Sequence, residues 1–141
     1  MEWTYQGRPV VFDDISEYVG FVYLIENLDN GRKYVGKKNL WKPKVSRRKN
    51  PKTGKIKTTR TRVESDWKDY YGSSKELESD VEKLGTDRFS REIIKFCRTK
   101  GQMSYDELKE QISRRVLESD EYYNGIIQVR IHRRHLDGSE D

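Results

Sequence analysis

The chain has 141 residues, of which 38% are charged and 33% hydrophobic, with a net charge of +5. That length fits one compact domain and excludes a large multi-domain enzyme, while nine Tyr, four Phe and three Trp exclude a disordered polyelectrolyte. No run approaches the roughly 20 apolar residues of a membrane span, the first residues lack the basic-then-apolar layout of a secretory signal, and the one cysteine, Cys97, excludes an internal disulfide.

These exclusions place the protein in the cytoplasm with no membrane partner. Residues 1–18 read as an N-terminal extension. Val19 to Lys38 reads as a β-hairpin, because Asn30-Gly31 tolerates the positive φ angles of a type I′ turn and β-branched and aromatic residues flank it. With Asn30 and Gly31 as a two-residue turn, Asn27 faces Tyr34, Ile25 faces Gly36 and Tyr23 faces Lys38, all on one face. Val22, Leu24 and Val35 then form the core side. A slip of one residue would separate the two tyrosines.

From Lys42 to Arg62 there are ten basic residues and no acidic one, so removing that segment takes the remaining 120 residues from +5 to −5. An acidic body with one basic segment points to a polyanionic partner. Asn50-Pro51 and Gly54 mark a turn there, and the segment reads as a projecting basic loop or a loose hairpin. Arg47, Arg48, Lys49, Arg60 and Arg62 are its candidate phosphate contacts. Lysines and arginines without a regular base-reading geometry imply affinity more than sequence specificity.

Glu64 to Tyr71 reads as a short helix capped by Ser65 or Asp66. A second helix follows, capped by Ser73 or Ser74, with Leu77, Val81 and Leu84 on one face and Gly85 closing it. Arg88 to Cys97 reads as a strand with Cys97 buried, although Phe89, Ile93 and Phe96 do not alternate cleanly. Ser104 caps a last helix to about Glu118, with Leu108, Ile112 and Val116 inward. The expected fold is α+β: a small three-stranded antiparallel sheet flanked by helices. The domain covers residues 19–125 with the basic insertion at 42–62, and a basic tail covers 126–141. His132 and His135 in that tail have no carboxylate at helical spacing, so they are not expected to ligate metal.

Tyr23, Tyr34, Gly36 and Lys38 are the candidate chemical cluster. A tyrosine is a poor base at its ordinary pKa of about 10, but a lysine within cross-strand reach favours the phenolate. Gly36, lacking a side chain, lets a phosphodiester backbone approach the sheet.

Gly20-Phe-Val-Tyr23 and Tyr34-Val-Gly36, separated by a turn, resemble the two-part signature of the GIY-YIG nucleases. Ser73 to Gly85 followed by Phe89 to Ile94 resembles that family's middle helix and third strand. Ser104 to Gln111 with Tyr122-Tyr-Asn124 is similar to its closing part, where a helix supplies a glutamate and a loop an asparagine. Trp3-Thr-Tyr, Glu64 to Ser74 and Arg130 to His135 are similar to small phage proteins of the Seg-type endonuclease group. The resemblance implies hydrolysis of DNA phosphodiesters with one divalent ion, Mg²⁺ or Mn²⁺, held by Glu107, with Glu110 as the alternative. It implies that Tyr23 activates or orients the attacking water, that Tyr34 supports it or contacts the phosphate, that Lys38 lowers the pKa of Tyr23 or stabilises the transition state, and that Asn124 positions the substrate or a closing loop. The family's helix arginine has no clean match; Arg60 and Arg62 are near that place in the chain, and Arg91 is a further candidate facing the site. The rival reading is a catalytically weak binding module of the same fold.

Overall fold

The computed structural model describes residues 1–137; the last part of the expected basic tail, residues 138–141, lies outside the described residues. From the N-terminus come β1 (Trp3–Tyr5), β2 (Arg8–Pro9), β3 (Gly20–Asn27), β4 (Lys33–Asn39), β5 (Trp41–Lys49), β6 (Ile56–Glu64), α1 (Lys75–Leu84), β7 (Phe89–Cys97) and α2 (Lys100–Ser113). The main sheet has five strands in the order β2-β1-β7-β3-β4, with β1 parallel to β7 and the other pairs antiparallel, and β5 and β6 form a separate two-stranded ribbon.

Five strands replace the expected three, because the first residues join the sheet. Trp3 lies opposite Arg91 and Tyr5 opposite Ile93. Trp3 is buried, its indole donates to the Trp67 carbonyl at 2.7 Å, and it meets Phe21 and Tyr23 edge-on. The burial of one large aromatic anchors a strand too short to stand by itself.

The β3–β4 hairpin is real, but its turn has four residues, Leu28 to Gly31. Asn27 N–H donates to the Arg32 carbonyl at 2.8 Å, and Gly31 takes a φ of 76°. The observed pairs are Tyr23 with Gly36, Ile25 with Tyr34 and Phe21 with Lys38. The register therefore differs by two residues from the expected one. A shift of two preserves the side-chain parity, so Tyr23, Tyr34, Gly36 and Lys38 still share a face.

That face is not open. Tyr23 belongs to the larger core with Ile15, Phe21, Leu40, Trp67, Leu77 and Phe89, whereas Val22 and Val35 pack with Cys97, Met103 and Val116 beneath α2. Both faces of β3 are covered. A bulge where the β3–β7 register shifts between Val22 and Tyr23 explains the broken alternation of β7, since Phe89, Ile93 and Phe96 all reach the larger core.

Ser74 caps α1, its hydroxyl accepting from Leu77 N–H, and Gly85 closes it at a φ of 92°. Leu77 is buried, while Leu84 is exposed. The segment expected as a helix before it forms only a 3-10 turn over Trp67–Asp69. α2 starts earlier than expected, at the Thr99 cap, and ends at Ser113, near Arg115 with its positive φ of 54°. Its inward residues are Met103, Asp106 and Gln111, and Ile112 faces solvent, which corrects the Leu108–Ile112–Val116 stripe. Cys97 is buried beside Asp106, and burial pushes its thiol up to about 12. Among the described residues no helix is long and apolar enough to cross a membrane.

Candidate active site

β4 is an outer strand, so N–H and C=O groups along its free edge need partners beyond the sheet. They are met in order. Lys33 N–H donates to the Glu121 carbonyl at 2.8 Å and Val35 N–H to Asn124 Oδ1 at 3.1 Å, and the Lys37 N–H lies close enough to the Glu107 carboxylate to favour its charged form. The Val35 carbonyl accepts from Asn124 Nδ2 at 2.8 Å and from Gln111 Nε2 at 3.2 Å. The free edge of β4 thus receives Asn124 at Val35 and faces Glu107 at Lys37, two residues further along the strand. Both amide atoms of buried Asn124 bond the backbone of Val35, so it completes the sheet edge and fixes its own loop there.

Tyr23 and Tyr34 come together with ring centroids 6.1 Å apart. A Cβ on Gly36 would stand 2.5 Å from the Tyr23 hydroxyl oxygen, 2.7 Å from its Cζ and 3.0 Å from Tyr34 Cε1. The gap left by the glycine is filled by the two tyrosines; it does not admit a phosphodiester backbone as expected. Gly36→Ala is accordingly expected to cost about 1–3 kcal/mol by overpacking, read by urea denaturation. Gly125→Ala, where nothing lies within 4 Å of the new carbon, is the control expected to leave stability unchanged.

A third tyrosine completes the cluster. The Tyr70 ring meets Tyr23 edge-on at 5.9 Å, and their hydroxyl oxygens are 3.5 Å apart, while the Tyr34 hydroxyl is 2.9 Å from Ser73 Oγ. Tyr23 is fully buried, and that burial, followed by the neighbouring Tyr70 and Tyr34, pushes its hydroxyl well above the ordinary tyrosine value. Burial also raises Tyr34, and the charge of Glu107 acts in the same direction on both.

Lys38 does not oppose this shift. Its Nζ lies 2.6 Å from Asp66 Oδ1 and 4.2 Å from the centre of the Tyr70 ring, and its hydrogen bond holds the Asp66 carboxyl below the usual range. The expected lysine-stabilised phenolate at Tyr23 is therefore absent. Tyr70 also lines a cleft with Asp66, Asp69, Glu78 and Glu82, whose carboxylates outnumber its one arginine, Arg91.

The two candidate glutamates now separate. Glu110 is paired with Arg114 at 2.9 Å. Glu107 is largely buried with its carboxyl raised by that burial, and the nearby Lys37, whose Nζ bonds Ser104 Oγ at 2.7 Å, counters part of the rise. Among the described residues no three His, Cys, Asp or Glu side chains converge on one point. A single carboxylate is a sufficient protein ligand for Mg²⁺, which keeps several waters and takes its remaining oxygens from phosphate, so the donor set fits a hard divalent ion at Glu107.

Arg91 faces the core, not a substrate. It is 5% exposed, and its guanidinium donates to the carbonyls of Met1, Lys68 and Tyr70 at 2.8–2.9 Å while lying over Trp3 and Tyr71. Arg47, Arg48, Lys49 and Arg60 lie exposed on the β5–β6 ribbon, and Arg62 stacks on Trp41 at 4.2 Å. Tyr70, Lys37 and Gln111 went unnoticed in the sequence; the Tyr70-Tyr71 doublet was the one visible signal, and no periodicity ties it to Tyr23.

Comparison with curated proteins and with solved structures returns no match. A family model described as "Putative endonuclease segE, GIY-YIG domain" matches residues 3–127, a span that takes in β1, both tyrosines of the hairpin, Glu107 and Asn124. The match spans most of the chain, and the chain belongs to the SegE GIY-YIG endonuclease-domain family.

Proposed function

We propose that the protein is a metal-dependent endonuclease that hydrolyses DNA phosphodiester bonds, of phage or mobile-element type and acting in the host cytoplasm. The observation that carries this reading is the gathering of Tyr23, Tyr34 and Glu107 around one strand edge in a chain of an endonuclease family. Glu107 would hold the Mg²⁺ or Mn²⁺ ion, which neutralises charge on the scissile phosphate when bound.

The remaining roles belong to the chain itself. Tyr34 and its Ser73 partner sit at the protein surface and orient the phosphate or the attacking water by hydrogen bonds. Tyr23 is a neutral phenol at physiological pH, because its hydroxyl is raised, so it positions rather than deprotonates. Tyr70 covers Tyr23 and must shift for that hydroxyl to meet a ligand. Lys38 supplies positive charge at the mouth, shared with Asp66. The ribbon arginines and lysines hold the DNA backbone.

A pH profile follows from Glu107. Its carboxyl is raised, so the neutral, non-ligating form persists to higher pH than for an exposed glutamate. Single-turnover cleavage is expected to fall on the acid side with a midpoint above the ordinary glutamate range, and more Mg²⁺ should move that midpoint down, since proton and metal compete for one carboxylate. A midpoint indifferent to Mg²⁺ would remove Glu107 from the metal role.

One observation favours the binding-module reading: the Tyr23 hydroxyl is covered and Lys38 is held by Asp66. Cleavage of supercoiled plasmid with Mg²⁺ or Mn²⁺, alongside a gel shift in EDTA, separates the two. Cutting lost in Tyr23→Phe by about a hundredfold with binding retained supports the nuclease; salt-sensitive binding with no cutting of any substrate replaces it.

A further inference from the structure

Of the two readings of the basic segment, a projecting loop or a loose hairpin, the structure has the hairpin, as a regular ribbon of nine residue pairs from Trp41 opposite Glu64 to Lys49 opposite Ile56. Strand alternation gives it two chemically different faces, since residues directly opposite in a ladder project to the same side. Three of the ribbon's four arginines, Arg47, Arg60 and Arg62, share one face with Lys49, Val45 and Ile56. The other carries Arg48, Lys42, Lys44 and Lys57 with Thr59 and Thr61, and half-buried Val63 at its base. Val45 is 53% and Ile56 65% exposed, both on the first face. A ribbon that met only phosphate would have no use for apolar residues sorted with arginines.

We propose that the β5–β6 ribbon lies in the major groove of duplex DNA with its arginine face against the base edges, and so selects sequence in addition to holding the backbone. This rests on the endonuclease reading for its choice of DNA. Nine pairs at about 3.3 Å per residue span roughly 26 Å, and the major groove, about 12 Å wide and 8.5 Å deep, admits a two-stranded ribbon without deformation, whereas the minor groove, about 6 Å wide, must first be widened. Arginine forks match the O6 and N7 of guanine, and apolar side chains match the thymine methyl. A second copy of the chain is a poor occupant, because ten positive charges would meet ten and Pro43 removes a donor from β5.

The test is selection by the whole protein from a randomised 20-base-pair duplex pool in EDTA. The wild type is expected to select a guanine-containing consensus and to lose at least tenfold of its preference when those guanines are 7-deazaguanine, which lacks the N7 acceptor. Arg47→Lys with Arg60→Lys keeps the charge and loses the forks; its preference for the selected consensus over random duplex should fall at least tenfold. Lys44→Ala with Lys57→Ala should weaken every duplex alike, lower the salt slope by about two and leave the consensus intact. No consensus, indifference to 7-deazaguanine, or a consensus that survives the arginine changes would overturn the proposal. Selection without plasmid cleavage in Mg²⁺ keeps the ribbon and removes the nuclease; cleavage without selection does the reverse.

Discussion

Glu107→Gln is expected to reduce plasmid cleavage in saturating Mg²⁺ by about a thousandfold while leaving DNA affinity in EDTA and the fold unchanged. The magnitude follows from losing the ion's several kcal/mol of charge stabilisation in the transition state, at about 1.4 kcal/mol per factor of ten. Glutamine keeps an oxygen for Lys37 N–H. The folded protein also raises the Glu107 pKa, so its charged form is the disfavoured one; at neutral pH the neutral amide should melt no lower than wild type by thermal denaturation. Glu110→Gln breaks only a partly exposed pair with Arg114, at an effect of at most about 1 kcal/mol on stability, and should leave cleavage within a few-fold. Equal losses in both variants would place the metal elsewhere.

Arg91→Met is expected to destabilise the protein by on the order of 3 kcal/mol, a drop of roughly 10 °C in Tm. The change strands the carbonyls of Met1, Lys68 and Tyr70 in a buried setting and removes the guanidinium from between Trp3 and Tyr71. Arg91→Lys keeps the charge but not the fork, so it should lie between the two. Because the lost bonds include the one that fixes the Tyr70 backbone, cleavage should fall in both variants at temperatures where they remain folded. DNA affinity in EDTA should stay within twofold of wild type. A lower salt slope of binding with an unchanged Tm would instead make Arg91 a phosphate contact.

The sequence by itself determined what depends on local chemistry. Gly31 and the alternating residues around it set the β3–β4 hairpin, Ser74 and Gly85 set the ends of α1, and the alternation along the hairpin set Tyr23 and Tyr34 on one face. That last inference survived a register error because the true turn is longer by two residues and side chains alternate with a period of two. Separation in sequence hid the rest. Trp3 becomes a sheet residue only by meeting β7 some 88 residues later, as its pairing with Arg91 records. Tyr70 reaches Tyr23 from a segment without regular periodicity. The choice between Glu107 and Glu110 lay in which one the free edge of β4 receives, since both lie within one turn of α2. The functional meaning of Lys38 and Arg91 also waited on tertiary structure, because a cation takes its role from the acceptors packed around it: a carboxylate for Lys38, three backbone carbonyls for Arg91.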